Sequence, residues 1–349
     1  MASRGTTTQR CSKCRLQLSV SPINRVRCPL GRVREIISEL ASPSSWVSNE
    51  AGGLGWPATY PREHGKKRAV LCGVSYIGKS YELKGTVNDV NCMKYLLTSR
   101  FNFPEACILV LTDVEPDPYR IPTKANMEAA MRWLVHNCQP EDSLVFHFSG
   151  HGSQRVADPY SEEKDGLDET LCPLDYETNG MILDNEINEI LVRPIPPRAK
   201  LHAIIDSCHS GTVLDLPYLC RINRTGRCEW EDHTPLYKHK GTKGGLAICI
   251  SGCDDNQTSA DTSALSGSIT TGAMTYSLIL ALDSNPGITY GCLLYTMRSV
   301  IHGADISSKA RLADPIGSFV RRVLKFGLRQ VPQLSSSERF DIYRKPFLL

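Results

Sequence analysis

Short apolar runs alternate with amphipathic segments from about residue 66 onward. Each apolar run is bounded by turn or charged residues and has the length of a buried strand. These predicted strands cover residues 69–76, 106–112, 143–148, 201–205 and 246–250. Helical patterns lie between and after them at residues 87–99, 123–137, 184–192, 272–282 and 289–302, with Thr123 a predicted N-cap. The alternation predicts an α/β fold with a mostly parallel sheet and helices on both faces.

Two other segments lack this alternation. Residues 41–65 are rich in Pro, Gly and Ser and indicate a linker. Residues 216–245 combine basic side chains with glycines and show no apolar period, which predicts an exposed basic loop. The predicted organisation is therefore an N-terminal arm (1–40), a linker (41–65), a large segment (66–215), the basic loop (216–245) and a small segment (246–349) that completes the same domain.

The N-terminal arm is rich in cysteine. Cys11 and Cys14 form a CxxC pair, and Cys28 follows in a second turn. A closed structural zinc site needs four ligands, and the expected fourth position is Gly31. Two interpretations stay open, a zinc site of Cys11, Cys14 and Cys28 that recruits another ligand and a degenerate arm without metal.

Composition and charge exclude several classes. The 349 residues are 41% hydrophobic and 22% charged, with a net charge of +3 and no long block of like charge, so we expect no nucleic-acid partner. No apolar run of membrane-spanning length and no signal peptide are visible, so we expect no membrane association and a cytoplasmic or nuclear location. In a reducing compartment, the 14 cysteines are predicted to be core residues, metal ligands or nucleophiles.

Two strand ends carry the candidate chemistry. The run 200–205 ends in Asp206-Ser-Cys208-His-Ser-Gly211, and the run 143–148 ends in Ser149-Gly-His151-Gly152. Ligands of open α/β sheets bind at the carboxyl ends of the strands. A thiol also needs a base to become a nucleophile. The two turns therefore predict Cys208 as nucleophile and His151 as its base.

Plainer interpretations exist for each residue. Alone, His151 is an ordinary turn histidine and Cys208 an ordinary buried thiol. The shared strand-to-glycine pattern favours the catalytic pair. His209 is adjacent to Cys208 and points away from it, His202 faces the strand interior, and the His147/His151 spacing lacks the glutamate of an HExxH zinc motif.

The blocks FHFSGHGS, DGLDETLCPLDYETNGMILDNEI, IIDSCHSGTVLDLP and SGCDDNQTSADTSAL resemble type I metacaspases of plants. The resemblance covers about residues 66–349, and the cysteine-rich arm with its linker resembles the zinc-finger prodomain of that group. It implies a caspase-like α/β/α sandwich around a mostly parallel sheet. It also implies a His151–Cys208 dyad without a third member, in a cysteine endopeptidase. Backbone N–H groups near Gly152 and Cys208 would stabilise the oxyanion.

The resemblance implies an acidic S1 pocket of Asp89, Ser149 and Asp206, which selects Arg or Lys at P1. Asp206 lies two residues before the nucleophile and would point into the pocket next to it. For Asp89, a structural alternative is the N-cap of the helix that follows.

Carboxylates greatly outnumber basic side chains over residues 155–189. Such a run is usually a solvated loop, but it also suits a bridging cation. The resemblance implies calcium dependence, with Asp168, Asp184 and Asp215 as ligands. At the next position many relatives carry a second aspartate and this chain has Asn185, which removes a charge and should weaken calcium binding.

The sequence therefore predicts a calcium-dependent cysteine endopeptidase that cleaves proteins or peptides after Arg or Lys. It is expected to be a monomer and to cleave itself between Arg221 and Lys243. One alternative is a proteolytically silent scaffold that binds partners through the prodomain. Another is a nucleic-acid-linked module using the cysteine-rich arm, which the low net charge disfavours.

Overall fold

The computed structural model describes residues 7–10, 17–20, 56–61, 65–156, 167–208, 210–222, 228–234, 240–253, 272–285, 287–301 and 331–349. The strands are β1 (Thr7–Arg10), β2 (Gln17–Val20), β3 (Lys67–Gly73), β4 (Ile108–Thr112), β5 (Ser143–Ser149), β6 (Gly152–Val156), β7 (Leu167–Leu171), β8 (Ile182–Leu183), β9 (Lys200–Asp206), β10 (Tyr218–Ile222), β11 (Cys228–Asp232), β12 (Leu246–Cys253) and β13 (Val331–Ser336). The helices are α1 (Thr86–Phe101), α2 (Lys124–Val135), α3 (Tyr176–Asn179), α4 (Asp184–Ile187), α5 (Ala273–Ser284) and α6 (Tyr290–Ile301).

Eight strands form the main sheet in the order β11-β10-β13-β12-β9-β5-β3-β4. The five strands from β12 to β4 are parallel, and they correspond to the five apolar runs of the sequence. β10, β11 and β13 are antiparallel additions at one edge. The predicted mostly parallel sheet is confirmed, and its central strands β5 and β9 carry the two turns with candidate chemistry.

Alternate side chains of each central strand enter two different cores. In β3, Val70 and Cys72 pack with α2, whereas Ala69 and Leu71 pack with α1. α5 and α6 cover the same face as α1. A fully buried aliphatic side chain contributes roughly 1.5–3 kcal/mol, so a sheet buried on both faces makes the central strands the most stable part of the fold. The result is a three-layer α/β/α arrangement.

The predicted helices are also present with small shifts of their ends. Thr123 caps α2, because its Oγ1 accepts a hydrogen bond from the backbone N–H of Asn126 (3.3 Å). The pattern at 184–192 is α4 followed by a single π-helical segment, Asn188–Val192. The structure therefore confirms the helical periodicity used to interpret the sequence.

The prediction of an irregular loop over residues 216–245 is wrong, and the acidic segment 155–189 also contains strands. The basic segment 216–245 contains the β10–β11 hairpin, because its apolar positions alternate with polar ones on an edge strand rather than forming a continuous run. The acidic segment 155–189 contains β7 and β8, which form a three-stranded antiparallel sheet with β6. Both segments therefore contain paired strands, and residues 157–166, 223–227 and 235–239 lie outside the described part.

Little of the N-terminal region is described. β1 and β2 form a separate antiparallel pair. Cys11, Cys14 and Cys28 lie outside the described residues, and so does the linker before Trp56. At the end of the linker, Trp56 meets the His136 ring edge-on (5.6 Å between centroids), and Trp133 Nε1 donates to the carbonyl of Pro61 (3.1 Å). Residues 56–61 therefore pack against the end of α2.

A buried ion pair fixes the start of β3. Arg68 Nη1 lies 3.0 Å from Asp142 Oδ2, and both side chains are almost fully buried. The guanidinium also donates to the carbonyls of Leu134 (2.6 Å), His136 (3.1 Å) and Gly65 (3.2 Å). This buried charge has a complete set of partners.

In the described part of the chain, no helix is long and apolar enough to cross a membrane.

Candidate active site

The two turns that carry His151 and Cys208 are neighbours because β5 and β9 are adjacent parallel strands. Ser149 lies opposite Asp206 in the register, and Gly150 N–H donates to the carbonyl of Asp206 (3.3 Å). The backbone at Gly152 comes so close to the carbonyl of Cys208 that any Cβ would collide with it. Glycine at position 152 is therefore required for this close approach of the two turns.

Backbone groups hold the ring of His151. Its Nε2 lies 2.8 Å from the carbonyl oxygen of Tyr81, which can only accept, so Nε2 carries a proton. The other ring nitrogen, Nδ1, is then the one available for proton exchange. The resemblance implies a dyad without a third member, and the Tyr81 carbonyl is a backbone group that orients the His151 ring.

Tyr76 packs against His151 and forms a hydrogen bond with its backbone. Its side chain is fully buried, and its hydroxyl donates to the carbonyl of Cys172 (2.6 Å) and accepts from the N–H of His151 (3.0 Å). Its ring centroid lies 4.8 Å from that of His151. Sequence reasoning missed this residue, because a tyrosine after a strand carries no signal of its role.

The nucleophile turn is anchored to the next strand. Cys208 is 8% exposed. Ser210 Oγ lies 2.8 Å from the carbonyl oxygens of both Ser207 and Gly252, and it links the turn to β12. Cys208 therefore has a rigid backbone and a small opening to solvent, as a nucleophile needs. His209 lies outside the described residues.

Two buried carboxylates lie beside this turn. Asp89 is 1% exposed and Asp206 is 8% exposed. Ser149 Oγ donates to Asp89 Oδ2 (2.6 Å), and the N–H of Gly272 donates to Asp89 Oδ1 (2.8 Å). The N–H of Thr275 donates to Asp206 Oδ2 (2.8 Å). The three predicted S1 residues therefore form one cluster, closed by the N-terminus of α5.

Both carboxyls are shifted towards their protonated forms. Burial raises the pKa of Asp89 well above its ordinary value, and the nearby charge of Asp206 raises it further. Burial also raises the pKa of Asp206, against the hydrogen bonds from α5. Among the described residues, neither carboxylate has a Lys or Arg in an ion pair with it. The cluster therefore favours the arrival of a positive charge.

The alternative of Asp89 as a helix N-cap is wrong. The N-cap of α1 is Gly85, and Asp89 lies one turn inside the helix. Its oxygens bind Ser149 and Gly272 instead of the free N–H groups of the helix. Gly272 was missed by sequence reasoning, because it lies 183 residues from Asp89. A Cβ at Gly272 would collide with the Asp206 carboxylate, so the packing requires glycine.

The predicted calcium ligands lie on β7, on α4 and after Cys208. Asp168 is buried, and its Oδ2 accepts from Arg155 Nε (3.2 Å). Asp168 Oδ1 is buried without a hydrogen-bond partner among the described residues. Asp184 accepts from the N–H of Glu169 (3.0 Å) and of Asn185 (2.6 Å). Asp168, Asp184 and Asn185 therefore supply oxygen donors on neighbouring segments.

Asp215 is engaged by a basic side chain. The Lys240 ammonium forms an ion pair with Asp215, and both side chains are about 5% exposed. Asn188 Nδ2 donates to the carbonyls of Leu214 (2.9 Å), Asp215 (3.0 Å) and Lys240 (3.0 Å). The ligands fit calcium in kind, because all are oxygens. In the described part of the chain, however, no three acidic, His or Cys side chains are placed to hold a metal ion.

Comparisons with known proteins decide the family. The family model "Metacaspase, peptidase C14 domain" matches residues 67–217. Metacaspase-1 of Arabidopsis thaliana is 50% identical over 353 residues, covering 97% of this chain and 95% of the relative. Metacaspase-2 of the same plant is 52% identical over 310 residues, covering 83% of this chain and 74% of the relative. The chain belongs to the metacaspases.

Membership makes this metacaspase a cysteine-type endopeptidase and confirms the resemblance to the plant family. Protein GSU0716 of Geobacter sulfurreducens shares the fold, with a TM-score of 0.50 and 20% identity over 82% of this chain and 99% of that chain. The caspase-like α/β/α sandwich predicted from the sequence is confirmed.

Proposed function

We propose that this metacaspase cleaves peptide bonds after Arg or Lys, with His151 and Cys208 as its dyad, in a calcium-dependent reaction. The observation that carries the proposal is the Asp89–Asp206 cluster. It combines two buried carboxylates with raised pKa values, no basic partner among the described residues, and a position beside Cys208. A guanidinium or ammonium at P1 supplies the missing charge, and Arg binds such a pair with several hydrogen bonds.

The proposed reaction uses these groups in turn. Cys208 Sγ, as a thiolate, attacks the carbonyl carbon of the scissile bond and forms a C–S bond. The negative oxygen that results accepts hydrogen bonds from backbone N–H groups near Gly152 and Cys208. His151 then gives its proton to the departing amine as the C–N bond breaks. Water, with His151 as base, hydrolyses the thioester and restores the thiol.

The hydrogen bonds that hold His151 suit its proposed role as the group that exchanges a proton. Since Nε2 donates to the Tyr81 carbonyl, the positive charge of a protonated ring is stabilised by that oxygen. The hydrogen bond from Tyr76 fixes the backbone of the same residue. His151 can therefore exchange its Nδ1 proton without losing its orientation.

Asp168, Asp184, Asn185 and Asp215 are the residues that would hold calcium. Because no three acidic side chains of the described part are placed together around a metal ion, these carboxylates would have to move closer together to bind it. The orphaned Asp168 Oδ1 supports this role. The ion pair of Lys240 with Asp215 sets a condition, since the ammonium has to leave Asp215 before that carboxylate becomes a ligand. Together with Asn185 in place of a second aspartate, this condition implies a high calcium requirement.

Turnover of short fluorogenic peptides tests the proposal. We expect hydrolysis after Arg and Lys in millimolar calcium, little or none with a calcium chelator, and none after Asp. The Cys208→Ala and His151→Ala proteins should be inactive while keeping the unfolding midpoint of the parent. Hydrolysis after Asp, or no turnover by folded protein at any calcium concentration, would contradict the proposed specificity.

Self-cleavage belongs to the same proposal. Arg221 on β10 and Lys243 are exposed, while Lys240 is buried, so the basic residues of the segment 221–243 differ in access. We expect wild-type protein to form two fragments that stay associated, and Cys208→Ala protein to stay intact. Fragmentation of purified Cys208→Ala protein would show that another peptidase cuts the chain.

A further inference from the structure

The β10–β11 hairpin contains the one disulfide among the described residues. Cys220 and Cys228 are joined across the two strands, with their Cα atoms 6.1 Å apart, within the range that disulfides span. Cys220 lies opposite Trp230, and Cys228 lies opposite Ile222, so the bond crosses the hairpin diagonally. This pairing differs from the sequence expectation that cysteines serve as core residues, metal ligands or nucleophiles.

The pair differs in access from most cysteines of the fold. Cys72, Cys107, Cys172 and Cys249 are buried thiols. Cys220 is also buried, but Cys228 is partly exposed at the edge of the main sheet. A small thiol or disulfide can therefore reach one sulfur of the pair, and exposed disulfides are the ones that exchange readily.

The hairpin also carries a bond that the proposed function would cut. Arg221 follows Cys220 directly, and its exposed side chain donates from Nε to Glu231 Oε2 (3.2 Å). β13 pairs with Tyr218, Leu219 and Cys220, and its register with β10 ends there. Beyond that point, the strand partners of Arg221 and Ile222 come from β11, and Arg298 Nη1 adds one hydrogen bond to the carbonyl of Ile222 (3.0 Å).

Access to the Arg221–Ile222 bond thus depends on whether β11 stays in place. An endopeptidase has to draw several residues on each side of a bond into its groove, so a paired strand is cut from its opened state. Detachment of β11 alone removes most partners of this bond. A covalent link between Cys220 and Cys228 prevents that detachment.

We propose that Cys220 and Cys228 form a reversible thiol–disulfide site that controls cleavage after Arg221. In the disulfide form the hairpin is closed and the bond is protected, and in the dithiol form β11 can leave and the bond can be cut. The consequence for self-processing rests on the proposed specificity for Arg or Lys, but the protection itself does not.

The redox step is a thiol–disulfide exchange with a small disulfide such as oxidised glutathione. The Cys228 thiolate attacks one glutathione sulfur and releases one reduced glutathione. The Cys220 thiol then loses its proton and attacks Cys228 Sγ, which forms the protein disulfide and releases the second reduced glutathione. Two electrons pass from the cysteine pair to the glutathione disulfide, and excess reduced glutathione reverses both steps.

The expected size of the effect follows from the short loop. The two cysteines are eight residues apart, and closing a loop of about this size lowers the population of opened chains by roughly 10- to 100-fold in the chain-entropy account of disulfides. Cleavage from the opened state should slow by the same factor.

The test uses trypsin, so that it does not depend on the activity of the chain itself. The substrate is the Cys208→Ala protein with Arg224→Gln and Arg227→Gln, in which Arg221 is the one basic residue between the two cysteines. One sample is equilibrated with oxidised glutathione, and another is reduced and desalted before trypsin is added. Mass spectrometry follows the initial rate of cleavage after Arg221.

Two variants are matched to this substrate. With Cys228→Ser no bond can form, so we expect fast cleavage after Arg221 whatever the glutathione treatment. With Cys292→Ser, which removes an exposed cysteine on α6, the difference between oxidised and reduced samples should persist. The reduced parent protein carries no substitution in the hairpin, so it gives the same comparison even if Cys228→Ser disturbs the fold.

At least tenfold faster cleavage in the reduced and Cys228→Ser samples supports the proposal. Equal rates in oxidised and reduced samples overturn it, and so does a non-reducing peptide map without a Cys220–Cys228 cross-link after oxidation. A second experiment uses the active wild-type protein, in which self-cleavage after Arg221 should appear in the reduced state. If trypsin shows protection and the chain never cuts Arg-containing substrates, the specificity is wrong and the redox site remains.

Discussion

Two sites with buried carboxylates differ in their partners, because one contains a basic side chain and the other contains a second carboxylate. Asp142 shares its site with Arg68, whose guanidinium is fully bound by three carbonyls and the carboxylate. Asp89 and Asp206 share theirs with each other, and among the described residues they are held by Ser149 and by backbone N–H groups at the start of α5. The first site is complete in the fold, whereas the second lacks a cation.

The difference separates a structural role from a binding role. A buried charge with all its partners contributes to stability only while the set is intact. Two neighbouring carboxylates whose pKa values are raised by burial oppose folding in their charged form, and they gain most from a ligand that brings positive charge. Substitutions at the two sites should therefore have opposite effects on stability and activity.

The largest effect is expected at the complete site. Arg68→Met leaves Asp142 buried without its counter-charge and should lower the free energy of unfolding by about 3–5 kcal/mol. Denaturant unfolding measures this loss, and kcat/KM per folded molecule should be nearly unchanged. The double variant Arg68→Met/Asp142→Leu should recover part of the stability. A selective loss of Arg cleavage without loss of stability would break the comparison.

At the incomplete site, Asp206→Asn should lower kcat/KM for an Arg peptide by about 10²- to 10³-fold, because the P1 cation loses a buried partner. Stability near neutral pH should stay equal or rise, since burial disfavours the charged carboxylate. Steady-state kinetics and denaturant unfolding of the same preparation measure both. Unchanged Arg cleavage would remove Asp206 from the proposed S1 pocket.

Lys240 and Asp215 form an intermediate case, a buried ion pair at the proposed calcium site. Lys240→Met should destabilise the calcium-free protein by about 2–3 kcal/mol, because Asp215 keeps a buried charge without its ammonium. If calcium takes the place of the ammonium, millimolar calcium should stabilise the variant more than the wild type. Thermal unfolding with calcium, with magnesium as the control ion, measures the difference. Equal stabilisation of both proteins would show that Lys240 and calcium do not compete.

The smallest effect is expected from pH. Because the pKa values of Asp89 and Asp206 are raised, protons leave the folded pocket at higher pH than they leave the unfolded chain. KM for an Arg peptide should fall as pH rises through these raised values, while the pair's contribution to stability declines over the same interval. Asp206→Asn should weaken both trends. A KM that rises with pH in this interval would contradict the assignment of the pocket.

Local patterns predicted the parallel sheet well, because strands buried on both faces are continuous apolar runs and their carboxyl ends bring Ser149 and Asp206 together. The β10–β11 hairpin was missed, since its strands mix apolar and charged residues at a sheet edge. The pocket was predicted only in part. Ser149 and Asp206 lie in recognisable motifs and Asp89 follows from the family resemblance, but Gly272 reaches the pocket through a contact between distant segments that no local pattern encodes.

Strand order has a consequence for the processed enzyme. A cut after Arg221 leaves β9 and β10 in the first fragment and β11, β12 and β13 in the second. Since β12 and β13 lie between β9 and β10 in the sheet, strands of the two fragments alternate across it. They cannot separate without breaking strand pairs on both sides. We therefore expect the specific activity of the processed enzyme to be independent of dilution, unlike that of an enzyme assembled from reversible subunits.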